Sequence, residues 1–368
     1  MLSGRVTSRS NSLEHRREKL YFQCMEPDEP NQDSDEINYE ELLKTSTLPA
    51  DLHMKVSGPF SSEAEARELS DTALAFLRLF GTFLNLEGLD GVTIADDYSG
   101  ALAEIDRGFQ TSKAPSPTRD GSGYGFAMSL PVIRDGVLKT HIVLECQPLR
   151  PLVDAYNPLY KAAVHALCHE AAHSHDHLIQ SRAFPGLYGT QVPDYRDGRL
   201  LNLAIFCWDE YSASRLSAPW GTPDYCKRYE DGICSILETA PERGNAAIME
   251  FYSHRNIDRT VAELEGIYGA VLTRASYLVG HVHGLEKTFG EAAPRLFDQI
   301  EQTAWFKPMF DGYTSNILEL YETYGQWSGV EVLEPLKSSF EALLNAGGMF
   351  FRKRPDGRYT VDLRLPIL

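Results

Sequence analysis

The sequence predicts a mixed α+β fold, with a small antiparallel β-sheet ahead of a mainly helical C-terminal region. Three observations carry this. Two extended apolar runs flank Asp135-Gly136, a strong short-range hairpin signal. A long helix-like stretch follows Asn157-Pro158, which suits an N-cap and a first helical position. From about residue 200 to the end of the 340s, apolar residues recur mainly with helical spacing.

The elements follow in order. Residues 1–58 are rich in Ser, Asn, Pro and acidic side chains and lack periodicity, so they are expected to form a disordered acidic N-terminal tail. Arg5, Arg9, Arg16, Arg17 and Lys19 near its beginning are followed by no apolar run, so no secretory leader is expected. The abrupt change to acidic sequence after residue 24 marks Met25 as a candidate start. A first helix is expected over 62–86, with Ser62 and Glu65 as a capping box and Ala73, Leu77, Leu79, Phe80 and Phe83 as its apolar stripe. Residues 92–95 read as a short strand and 108–125 as a polar loop. Residues 124–133 and 137–146 form the hairpin, and the helix after Asn157-Pro158 runs to about Arg182. A loop at 184–198 precedes a second helix over 200–216. Further helices are expected at 244–254, 257–288, 294–305, 314–326 and 333–345, with a last hairpin over 350–363 around Pro355-Asp356-Gly357. The expected organisation is a tail (1–58), one domain with a helical extension (59–330), and a C-terminal helix and hairpin packed on it (331–368).

Composition narrows the function classes. At 43% hydrophobic the chain can bury a substantial core. A net charge of −17 argues against general binding to nucleic acid or to an anionic membrane, whose phosphates would repel it. No stretch approaches the length of a membrane span. Six cysteines are scattered without a CxxC pair, which fits reduced thiols in a cytoplasm. Gly-rich phosphate loops, a Ser nucleophile elbow and nucleic-acid motifs are absent.

The sharpest motif is His169-Glu170-Ala171-Ala172-His173 on the first long helix after the hairpin. Four residues are slightly more than one turn, so both His side chains share a face and can grip one zinc ion. Glu170 lies beside that face, where a carboxylate can deprotonate water activated by the metal. The bland reading is a solvated His-rich helix face, since His165, His175 and His177 surround the motif. Only the 169/173 pair has a Glu directly after its first His, which favours the metal.

Catalytic zinc commonly takes three protein ligands and leaves a position open. Glu210 in Trp208-Asp209-Glu210-Tyr211 is the expected third ligand, because its helix face carries Leu203, Phe206, Cys207 and Ala213 and a carboxylate there needs a charged partner. The alternatives are a Glu210 paired with Arg215 and, for the ligand, Asp194. The arrangement resembles the gluzincin metallopeptidases at HExxH and at the Glu210 helix, over roughly residues 88–217. That resemblance implies a zincin-like domain whose edge strand aligns a peptide, placed here near residues 141–145. It departs at Ser214, where gluzincins often carry an Asp that orients the first His; Asp209, Asp176 or a backbone carbonyl is the expected substitute.

Candidates for stabilising an oxyanion are His281, His283, His254, Tyr313 and Tyr211, with a core or solvated role as the other reading. His281 and His283 point to different helix sides, so at most one would face a site. Asp106, Arg107 and the loop at 115–125 read as surface, with gating of a cleft as the alternative. The aromatic clusters at 305–306 and 321–327 read as core, and Arg352-Lys353-Arg354 as a solvated hairpin tip, with contact to an acidic partner as the alternative. The expected function is a cytoplasmic zinc metallopeptidase acting on peptides or proteins, with His169, His173 and Glu210 as zinc ligands and Glu170 as general base. The alternative is a catalytically inactive zinc-binding regulatory or interaction protein; hydrolysis of a non-peptide amide is a third reading.

Overall fold

The computed structural model describes residues 38–110, 114–117, 119–120, 123–188, 194–222 and 224–365. The tail before residue 38, with Cys24 and the Met25 start, lies outside the described residues, as do Gly189-Thr190 and parts of the two long loops. The fold is mixed α+β and mostly helical. The chain divides into two compact units, residues 1–178 with 216–222 and residues 179–215 with 223–368. Among the described residues no helix is long and apolar enough to cross a membrane.

The first unit is built on a four-stranded sheet of β1 (His53–Ser57), β2 (Leu89–Ala95), β3 (Ala127–Arg134) and β4 (Val137–Glu145), in the order β1-β2-β4-β3. The expectation of a purely antiparallel sheet is corrected. β1, β2 and β4 are parallel, and only β3 runs against its neighbour. The cause is the helix between β1 and β2, α1 (Glu63–Phe80): a crossover returns the chain in the same direction, whereas a two-residue hairpin reverses it. The unstructured tail is corrected over 38–58 as well. A one-turn helix, Tyr39–Leu43, is capped by Asn38, and β1 pairs with β2 through five residues. β1 is short, half-exposed and polar at every second residue, so composition hides it.

α1 starts as expected. Ser62 Oγ accepts from Glu65 N–H at 3.3 Å, while the Glu65 carboxylate reaches back to Ser61 N–H at 2.7 Å. It stops at Phe80 rather than continuing to 86, and Phe80 and Phe83 pack on buried Trp220. The β3–β4 hairpin turns at Asp135 (φ 52°) and Gly136 (φ 78°), the two left-handed residues of a tight primed turn. A short helix, α2 (Tyr98–Glu104), covers one face of the sheet through Tyr98 and Leu102 against Leu130 and Val143. The opposite face carries Ser129 and Thr140, which bond to α3 (Tyr160–Ala183), the helix of the HExxH motif.

The second unit holds most of α4 (Tyr195–Ser217), then α5 (Asp224–His254), α6 (Ile257–Gly284), α7 (Pro294–Gln302), α8 (Lys307–Glu322), α9 (Glu334–Ala346) and a hairpin of β5 (Met349–Lys353) and β6 (Tyr359–Leu363). α5 is one 31-residue helix through Pro241, where the sequence marks a helix only after residue 243. Asn256 caps α6 by accepting from Arg259 N–H at 3.1 Å. The expected aromatic core forms: Trp208 packs edge-on against Trp327 at 5.0 Å, Trp327 stacks on Phe184, and Phe306 is fully buried.

Candidate metal centre

α3 owes its helicity to alanines at 162, 163, 166, 171 and 172, and to the lack of glycine or proline along its length. It is buried on most of its circumference, so the reading of a solvated His-rich face fails. His165, His169, His173 and His177 are all buried. Their rings form a ladder along one face, with centroid separations of 6.2, 4.8 and 6.1 Å.

The two ends of this ladder are tied to neighbouring hydroxyls. His177 Nδ1 shares a hydrogen bond with Thr140 Oγ1 at 2.9 Å, and His165 Nε2 one with Ser217 Oγ at 3.4 Å. Off the ladder, His175 Nδ1 accepts from Asn85 N–H at 2.8 Å and so anchors the turn that leads to β2. The middle pair is different. His169 and His173 lie nearly perpendicular, and each offers a ring nitrogen to one group with a carboxylate oxygen of Glu210, all within 4.8 Å of one another. All three residues are buried.

Glu170 is 6% exposed. Ser129 Oγ sits 2.8 Å from its Oε2 and 2.9 Å from its backbone oxygen, and so can donate to either. Sequence reasoning missed Ser129, and nothing in its local pattern marks it. It also missed Tyr277 on α6, whose hydroxyl bonds with Glu210. Burial first, then the charge of Glu210, hold the Tyr277 hydroxyl well above its ordinary pKa, so it stays protonated and donates to the carboxylate.

The remaining candidates take other roles. Asp194 Oδ1 accepts from Asp197 N–H at 2.9 Å and so caps α4, and among the described residues no group of close donor atoms includes it. Asp209, one of two expected orienting carboxylates, is held by Gln180 Nε2. Tyr211 shares a hydrogen bond with His283 Nδ1 at 2.9 Å and accepts from Arg215 at 2.7 Å. Arg215 is thereby committed to Tyr211, and also lies over the Tyr321 ring at 3.8 Å. Tyr313 bonds with Ser276 inside the second unit, and His254 Nδ1 accepts from Asn256 N–H. The expected edge strand at 141–145 is corrected: it belongs to β4, which is paired on both sides, and β3 is the edge. Cys168 and Cys207 are buried as expected, and burial pushes the Cys207 thiol up to about 12.

A second group of close donors, Glu250, His254 and Glu263, lies at the α5–α6 turn. Arg259 already bridges both of its carboxylates, at 3.1 and 2.7 Å, so that cluster has an internal cation. The His169–His173–Glu210 group combines two imidazoles with one carboxylate, the donor set of a catalytic zinc site with an open position. Its residues fit that ion. No family model, curated protein or solved structure matches the chain.

Proposed function

We propose that the protein is a zinc-dependent metallopeptidase of the gluzincin type, working in the cytoplasm. The observation that carries this reading is the grouping of His169, His173 and Glu210 donor atoms, within 4.8 Å of one another, with Glu170 next to His169 in the motif. Zinc, when bound, supplies Lewis acidity that polarises a carbonyl and makes water acidic enough to attack. Glu170 takes the proton of the attacking water on its carboxylate and passes it to the leaving amine. Ser129 holds Oε2 of that carboxylate in place. Tyr277 does the same for Glu210, so neither buried carboxylate depends on solvent for its orientation.

The zincin-like part of this reading is supported by the antiparallel edge strand β3, whose Ser129 meets the motif helix. Ser214, at the place where gluzincins often carry an orienting Asp, favours a second reading: a zinc-binding regulatory protein without turnover. Glu170→Gln separates them. Zinc-loaded wild type should hydrolyse peptides, and Glu170→Gln should keep about one zinc per chain while losing on the order of 10²–10⁴ in rate. Zinc binding in both proteins, with no hydrolysis by either across a broad peptide library, would overturn the peptidase reading in favour of the second.

A further inference from the structure

The edge strand β3 is not open along its whole length. Backbone groups of residues 128, 130, 132 and 134 face their partners 143, 141, 139 and 137 on β4, so those of 127, 129, 131 and 133 face outward. At the far end this outer edge is sealed. Ile133 N–H donates to Arg107 O at 2.8 Å. Pro131 has no N–H, and its carbonyl accepts from Arg107 Nε at 2.9 Å. Gly108, in the left-handed region at φ 70°, lies so close that a Cβ there would stand 2.3 Å from Ile133 O; only glycine allows that approach. The Arg107 guanidinium is also placed over the Phe109 ring, 4.6 Å from its centroid.

The near end is open. Among the described residues, no backbone bond reaches the outer N–H and C=O of Ala127 and Ser129. Ser129 is also the residue whose side chain meets Glu170. The edge is therefore open where the candidate general base lies and closed about two residues further on, roughly 7 Å along the strand.

We infer that this edge takes an extended peptide by main-chain pairing at Ser129, and that the Arg107–Gly108 segment blocks the peptide's continuation beyond about two residues on that side. The substrate is thus a chain with one arm limited to about two residues beyond Ser129. The one-sidedness holds whichever way the peptide runs. This inference rests on the reading of Glu170 as the general base.

The test uses the full zinc-loaded chain and one core peptide, extended progressively at its N-terminus in one series and at its C-terminus in another. Extension at one end should lower kcat/KM on the order of tenfold once it passes the seal, and extension at the other end should not. Equal tolerance at both ends would overturn the inference while leaving the peptidase reading intact. Arg107→Ala should relax the limit at the sensitive end only. Amide hydrogen exchange on the same chain supplies a readout independent of turnover. Without peptide, Ile133 should exchange slowly and Ser129 fast; equal exchange would overturn the closed-and-open division even if no peptide is ever cleaved.

Discussion

The molecule has two buried helical stretches rich in histidine, and they differ in what their spacing does. In α3, His169 and His173 are four residues apart, a rotation of about 40°, and a ring nitrogen of each lies within 4.8 Å of the other and of a Glu210 oxygen. In α6, His281 and His283 are two apart, a rotation of about 200°, and they diverge. His283 ends on Tyr211, while His281 is packed among the rings of Tyr225 and Tyr229 at 5.8 and 5.9 Å. Burial is common to both stretches and says nothing about chemistry. Convergence of donors distinguishes them, and it is a property of the period.

The comparison is broken most directly by metal content. His169→Ala/His173→Ala should take the zinc of purified protein from about one per chain to none, whereas His281→Ala/His283→Ala should retain it, as read by elemental mass spectrometry. Loss of zinc in the α6 variant as well would remove the distinction. The next effect concerns the glycines of α6. A Cβ on Gly280 would stand 2.3 Å from Tyr211 O and 3.1 Å from Ser214 Cβ, so this glycine lets α6 approach α4 closely. Gly280→Ala should cost about 1–3 kcal/mol in urea denaturation. Gly266, on the same helix, has nothing within 4 Å of its Cβ position, and Gly266→Ala should stabilise by about 0.5–1 kcal/mol.

How much of this was legible in the sequence follows from the same distinction. Local signals were sufficient where one residue type has one use. Asp135-Gly136 fixed its hairpin, Ser62 and Glu65 fixed the start of α1, and HExxH placed three polar side chains on one part of one helix. Glu210 could be picked out because a carboxylate on an apolar face demands a partner. The parallel sheet was hidden because β1 is short and polar. The direction of β2 depends on α1 acting as a crossover, which no local pattern encodes. Ser129 and Tyr277 were hidden because a hydroxyl on a strand or helix has many uses, and only tertiary contact selects one. The edge was misassigned to 141–145 because the more apolar strand of a hairpin is the inner one, paired on both sides.

The smallest expected effect is on stability against pH, and it tests the α6 side alone. Arg215 donates to the Tyr211 oxygen, and the Tyr211 hydroxyl shares a hydrogen bond with His283 Nδ1, so the imidazole lies at the end of a chain that begins at a cation. Burial, followed by the positive charge of Arg215, lowers the His283 pKa to about 4. In the unfolded chain it titrates near its ordinary value of about 6.5. Between these values the unfolded state holds the extra proton, so stability falls as pH drops from about 6.5 towards 4 and levels off below. His283→Gln has no proton to gain, so its Tm should fall less than that of wild type between pH 6.5 and 5, with a difference on the order of a few °C. Confining the comparison to that range leaves out most carboxylate titration. Identical slopes would mean that His283 takes up its proton equally in the folded and unfolded states, and that the Arg215–Tyr211–His283 chain is not what separates this helix from α3.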